Sequence, residues 1–430
     1  MPIEDPGSES PYTIVRFEPY AIKAIAPIPF LSKKRREQAL KAAGYNVFGL
    51  RSTAVTIDLV SDSGTGTMSV NQWRRLLIAD ESFSYQPSYD ELVKKVSRFT
   101  GYQFILPIHQ ARAAENILFS TIIKRGSTVF ANNLFSTTKM HLRRAGTRIK
   151  ELPVPDSGNI DLDRLKKKLN KKDRIVILSV TSNFHGGQPV EIENIRGVRR
   201  LIGKKGILIL DACRFAENCY IESKRLRISL KNVIRKMFSL SDIFYLSTKK
   251  DLLTNIGGLI GIRDKLLYER LNEKILLFEG FPTHGGLAGR DLSAISQAID
   301  EITDTRYLSF RLNQVKRFGQ MLKNLDVPVL EPFGCHAISI KGNDYCGRIT
   351  HPGFSGAAAI YLEGGVRSGV FDEDGEVIRF AVPRRVYTDS QLIYAAEVIG
   401  RTYKKKGFLN LKPVYRPRHL TNFLIRFKRA

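Results

Sequence analysis

The 430-residue chain is 43% apolar and 26% charged, the composition of a globular protein too long for one ordinary core, so two domains are expected. Its formal net charge of +26, with basic runs at 33–36, 164–174 and 404–406, raises nucleic-acid binding, but the runs are scattered and no helix-turn-helix, zinc-finger or RNA-binding signature accompanies them. No apolar run reaches the roughly 18–20 residues of a membrane span, the opening MPIEDPGSES has no secretory-signal character, and Cys213, Cys219, Cys335 and Cys346 form no C-x-x-C pair or zinc set, so a cytoplasmic protein with buried free thiols is expected.

Residues 1–12 read as a flexible tip, and 13–56 as an arm that joins the smaller of two units. Within the arm, 31–43 (LSKKRREQALKAA) predicts a helix with Gly44 as its stop. From about residue 54, short β-branched or apolar runs alternate with amphipathic stretches, which is the α/β pattern. Strands are predicted at 102–107 (YQFILP), 127–131 (STVFA), 174–180 (RIVILSV), 206–210 (GILIL), 243–246 (IFYL) and 257–262 (GGLIGI). Several are continuous apolar runs, as expected for strands buried on both faces of a mostly parallel sheet. A long helical stretch at 307–325 then leads into a smaller α+β segment. The expected division is a large unit over 57–305 and a small one over 306–430.

Polar residues follow the carboxyl ends of four of these runs. His109, Gln110, Ala111 and Arg112 follow the first, and Thr181, Ser182 and Asn183 follow the third. Asp211, with Arg214 close behind, follows the fourth, and Ser247, Thr248, Lys249 and Lys250 follow the fifth. Open α/β sheets bind ligands outside these strand ends. A lysine able to form an imine, with a carboxylate about forty residues earlier on a neighbouring strand, suits pyridoxal phosphate. The carboxylate would keep the pyridine nitrogen protonated, and Gln110, Arg112 and Ser247 could hold the phosphate. A lysine after a strand is more often a solvated surface charge, however, and an aspartate there more often caps a helix. These residues alone leave both readings open.

Longer strings narrow the choice. AGYNVF (43–48), DLVSDSGTG (58–66), IHQARAAEN (108–116), TSNFHGGQPV (181–190), DACRFAEN (211–218), STKKD (247–251), EGFPTHGGLAGRD (279–291) and VPRRVYT (382–388) resemble the β-eliminating lyase family, the tyrosine phenol-lyases and tryptophanases. The likeness runs from about residue 17 to 427. NIGG (255–258), GLAGRD and PRRVYT lie nearer the tyrosine phenol-lyase branch. The resemblance implies a fold-type I pyridoxal-phosphate enzyme with a mostly parallel seven-stranded sheet and a smaller α+β domain. It further implies a homotetramer or homodimer and a potassium-like cation.

By position, Lys250 matches the Schiff-base lysine, with Lys249 beside it. Asp211 matches the partner of the pyridine nitrogen, and Arg214 and Asn183 match neighbours of the cofactor oxygen. Phe135 matches the ring stacked on the cofactor, and Gln110, Ala111, Arg112 and Ser247 match the phosphate set. Ser61 and Ser63 lie at substrate-side positions. Arg379 matches the arginine that clamps the substrate carboxylate, a task suited to its planar fork. Gly64, Glu81 and Asn255 match the cation site. The implied reaction is β-elimination from an amino acid, giving pyruvate and ammonia.

Several positions depart from the family. The tyrosine that serves there as general acid is Phe83 here, and phenylalanine has no proton to give. His284 replaces a tyrosine in FPTYGG. Asn422 takes the place of a C-terminal aromatic or histidine of the ring pocket. The segment 369–376 is shorter than in tyrosine phenol-lyases, with Phe371 nearby and no counterpart to the arginine that serves the phenol. Ala111 and Ala113 replace glycines that flank Arg112. Release of phenol or indole is therefore expected to be impaired, unless Tyr85 or His284 supplies the proton. The competing classes are another pyridoxal-phosphate reaction, transamination or β-replacement, and a non-enzymatic basic nucleic-acid-binding protein.

Overall fold

A computed structural model describes residues 17–64, 66–82, 85–170, 172–281, 286–371 and 376–430. Phe83, His284 and the expected flexible tip at 1–12 lie outside the described residues. In chain order the strands are β1 (Ile57–Leu59), β2 (Phe104–Ile108), β3 (Thr128–Ala131), β4 (Arg148–Glu151), β5 (Ile175–Ser179), β6 (Ile207–Asp211), β7 (Ile243–Ser247), β8 (Gly258–Ile262), β9 (Ala337–Lys341), β10 (Val366–Phe371), β11 (Val377–Ala381), β12 (Leu411–Tyr415) and β13 (Arg426–Arg429).

Seven of them form one sheet in the order β2-β8-β7-β6-β5-β3-β4. All neighbours from β7 through β4 pair in parallel, whereas β8 runs antiparallel to both β7 and β2. The six predicted strands are all present within two residues of their expected ends. Both faces are covered, which is why those runs do not alternate. One face packs Val176, Leu208, Leu210 and Phe244 against helices that include Ile192–Ile202 and Leu230–Ser239. The other packs Ile177, Ile209, Tyr245 and Ile260 against helices that include Ala111–Ile122 and Lys265–Phe278. Pro107 is tolerated in β2 because that strand lies at a sheet edge, where a missing N–H costs least. At the opposite edge β4 (RIKE) alternates between exposed and half-buried residues, and its charges guard the open edge. No apolar run marks it in the sequence, so it was not among the expected strands.

A second sheet, β1-β10-β11-β9, and a β12-β13 pair form the smaller unit. β1 pairs in parallel with β10, so residues 57–59 belong to this sheet although the sequence reading began the large unit at 57. The arm packs Leu40, Val47, Leu50 and Val55 on Phe354, Tyr361, Leu411 and Phe427. Its helix spans Lys33–Ala42, capped by Ser32, and Gly44 lies at φ +63° just beyond it. The helix Thr305–Asn324 contributes Tyr307 and Leu308 to the large core and Val315, Phe318 and Leu322 to the small one. Within the described residues no helix is long and apolar enough to cross a membrane.

Candidate active site

The carboxyl edge of the large sheet faces the small sheet, and a cavity of about 260 Å³ lies between them. β6 ends at Asp211, which is buried on its floor. The next strand, β7, ends at Ser247, and the following turn brings Lys249 and Lys250 to the same wall. Asn183, after β5, lies on the far side of Asp211. β2 leads through Gln110 into the helix Ala111–Ile122, so Gln110, Ala111 and Arg112 present a helix N-terminus to the cavity. Exposed N–H groups and a favourable dipole at such a terminus suit an anion. Gly258 permits this close approach, since a Cβ there would sit 2.8 Å from the Ala111 nitrogen. The small unit supplies Ser61, Asp62 and Ser63 after β1, and Arg379 from β11. Phe135 closes one side. The Arg379 guanidinium lies 3.9 Å from the Phe371 ring centre and 5.9 Å from that of Phe135.

The sequence-predicted catalytic and cofactor residues thus line one cavity, as do Ser61, Ser63 and Arg379. Others lie elsewhere. Asn422 donates to the Val370 carbonyl at 3.2 Å and lines an adjoining cavity that shares Phe135 with the first. Glu81 is ion-paired with Arg290 at 2.7 Å, Asn255 is exposed, and the Gly64 N–H donates to the Lys249 carbonyl at 3.1 Å; none of the three lines the cavity.

Sequence reasoning missed four lining residues: Asp62, Glu115, Thr137 and Cys213. Asp62 holds Arg214 through two hydrogen bonds, 2.7 Å to Nε and 2.8 Å to Nη2, while Arg214 Nη1 donates to Asn183 at 3.3 Å. Burial alone would raise the Asp62 carboxyl, but the Arg214 guanidinium holds it well below the usual carboxylate range. Arg384 extends the network, with contacts of 2.9 Å to Asp62, 2.7 Å to Glu217 and 2.9 Å to Asp251, and Arg311 reaches Glu217 at 3.1 Å. Glu115 accepts from Thr138 at 2.5 Å and from Thr137 at 3.3 Å. Burial pushes it up to about 7 against the Thr138 bond, with the Asp211 charge adding to the rise. Its available signal was its spacing, one helical turn from Ala111 and Arg112, on the face that meets the cavity.

This donor set fits pyridoxal phosphate: a helix N-terminus with Arg112 for a phosphate, an amine, a buried carboxylate on the facing strand end, and an aromatic wall. Comparison with known proteins points the same way. Residues 58–397 match the model of a family described as beta-eliminating lyase. A probable tryptophanase of Aeropyrum pernix is 38% identical, covering 93% of this chain and 94% of the relative. A tyrosine phenol-lyase of Clostridium tetani is 36% identical over 96% and 98%, and a tryptophanase of Salinibacter ruber 39% over 91% of each. Among solved structures, a serine palmitoyltransferase of Sphingomonas wittichii superposes with a TM-score of 0.61 at 12% identity, covering 82% and 88%, and an L-threonine transaldolase of Pseudomonas fluorescens with 0.60 at 17%, covering 87% and 89%. These two share the fold.

Proposed function

The chain belongs to the β-eliminating lyase family and is a pyridoxal-phosphate-dependent lyase of fold type I; from that premise we propose that it converts an L-amino acid to pyruvate and ammonia at the cavity between its sheets. The observation that supports this reading is that Lys250, Asp211 and Arg379, delivered by three separate chain segments, all line that one cavity. Bound pyridoxal phosphate supplies a protonated ring that accepts the electron pair released when the Cα–H bond breaks.

The protein's residues do the rest. The Nζ of Lys250 would hold the cofactor through its aldehyde and is the base placed to take the α-proton. Asp211, buried on the cavity floor, would keep a proton on the ring nitrogen. Arg214, fixed by Asp62 and hydrogen-bonded to Asn183, would with Asn183 hold the cofactor's ring oxygen. Gln110, Ala111, Arg112 and Ser247 would hold the phosphate, and Phe135 would supply an aromatic face for the ring. Arg379 clamps the α-carboxylate, and Ser61, Ser63 and Lys249 flank the substrate. By the resemblance, Phe83 and His284 match positions that serve the leaving group, as does Asn422, which lines the adjoining cavity. Loss of the tyrosine at Phe83 disfavours phenol and indole, which must be protonated as they depart.

A potassium ion held by Gly64, Glu81 and Asn255 rests on the resemblance alone, because Glu81 is engaged by Arg290 within the protomer. Self-association is supported by Val70, Trp73 and Leu77, which form an exposed apolar stripe on the helix Val70–Ile78. A small amino acid, not a nucleic acid, is the proposed partner, and the cytoplasm the proposed compartment.

Borohydride reduction of cofactor-loaded protein should fix the chromophore to wild type and not to Lys250→Ala, and S-methylcysteine should yield pyruvate and ammonia together. Recovery of a keto acid that keeps the substrate's side chain would assign transamination instead.

A further inference from the structure

A second cavity, of about 300 Å³, adjoins the first. The two share Phe135, whose ring centre lies 5.9 Å from that of Phe371. Arg379 stacks on Phe371 at this boundary. A substrate whose carboxylate meets Arg379 would lie beside the second cavity, with Phe135 and Phe371 at the boundary.

The lining of that cavity is one-sided in charge. Lys139, Arg143, Arg418 and His419 contribute to it, and no carboxylate does among the described residues. Lys139 shares its charge with Glu151 at 2.8 Å. Neither Arg143 nor Arg418 has an ion pair with a described carboxylate. A cavity lined by one sign of charge, with apolar walls such as Phe135 and Phe371, concentrates ions of the other sign. Chemistry adds an independent argument. With Phe83 in place of a proton donor, the leaving group that departs most readily is one already stable as an anion.

We infer that the natural substrate is an L-amino acid whose β-substituent is anionic, received in this second cavity by Arg143 and Arg418 and released unprotonated. This rests on the β-elimination reading. In the balanced step the Cα–H proton passes to Lys250, and the Cβ–X pair leaves with X as its anion while a Cα=Cβ bond forms. Water then completes hydrolysis to pyruvate and ammonium. The class comprises sulfur and phosphorus oxyanions joined to Cβ through a bridging sulfur or oxygen atom, a bridge that cysteate lacks. Residues 372–375, which place three acids next to Phe371 in sequence, lie outside the described residues, so assays use the full chain.

The experiment compares S-sulfocysteine and O-phosphoserine with S-methylcysteine on the cofactor-loaded enzyme, following pyruvate. A parallel titration compares L-cysteate with L-alanine through the cofactor absorbance. The expected result is kcat/KM at least about tenfold higher for the anionic substrates, the equivalent of one charge-assisted hydrogen bond. Their KM should rise with salt, and Arg143→Gln and Arg418→Gln should reduce the preference by a similar factor. Equal or better turnover of S-methylcysteine, with cysteate binding no tighter than alanine, overturns the inference. Pyruvate from none of these substrates would sink the lyase reading; the salt dependence and arginine dependence of cysteate binding would then still decide the anion site.

Discussion

Glu115 sits one turn into the helix Ala111–Ile122, buried, with the hydroxyls of Thr137, Thr138 and Tyr245 as its partners. Burial raises its folded-state pKa from 4.5 to about 7. The folded state therefore holds a proton that the unfolded state has lost between those two values, and stability falls as pH rises from about 4.5 to about 7. Glu115→Gln removes that dependence. Urea midpoints at pH 5 and pH 8 should drop less in the variant than in wild type, and an equal drop would place the titration elsewhere. Asp62 teaches a related lesson. Ser61 and Ser63, on either side of it, were chosen from the string DLVSDSGTG, whereas Asp62 itself makes the bidentate contact with Arg214. Adjacent residues in a sequence say nothing about which one turns toward a partner 152 positions away.

At the scale of elements, the strands with continuous apolar runs were legible because burial on both faces demands them. β4 was not, since a charged edge strand resembles a loop. Nor was the pairing of β1 with β10, which joins residues about three hundred apart. The connection that matters most for the site is also non-local. Arg384, following β11, reaches Asp62 after β1, Glu217 in the helix Phe215–Leu226 and Asp251 after β7. With Arg214 and Arg311 it balances three buried carboxylates against three guanidiniums. Removing one member of such a set leaves uncompensated buried charge. Arg384→Met should lower stability by about 3–5 kcal/mol, measured by urea unfolding, and weaken cofactor binding through Arg214. A change below about 1 kcal/mol would mean that the network relaxes around the loss.

At the scale of the molecule, Val70, Trp73 and Leu77 are 56%, 51% and 84% exposed, with the i, i+3, i+7 spacing that places them on one helix face. An isolated protomer gains nothing from such a stripe, and a second copy would cover it. Light scattering should give a multiple of the protomer mass for wild type and a smaller assembly for Trp73→Glu with Leu77→Glu. An unchanged mass would move the contact to another surface.

Taken by itself, the chain's sequence determined the α/β class, the six buried strands and the polar groups at the carboxyl ends of four of them, because each of these is written in local periodicity and in short strings. Only the tertiary structure decided that Asp62 and Glu115 belong to the cavity, that Arg384 ties its two sides together, and that Asn422 and four basic residues open onto a separate compartment. Those relations join positions far apart in the chain, and a side chain's charge has meaning for chemistry only once packing has settled what lies beside it and how much water remains.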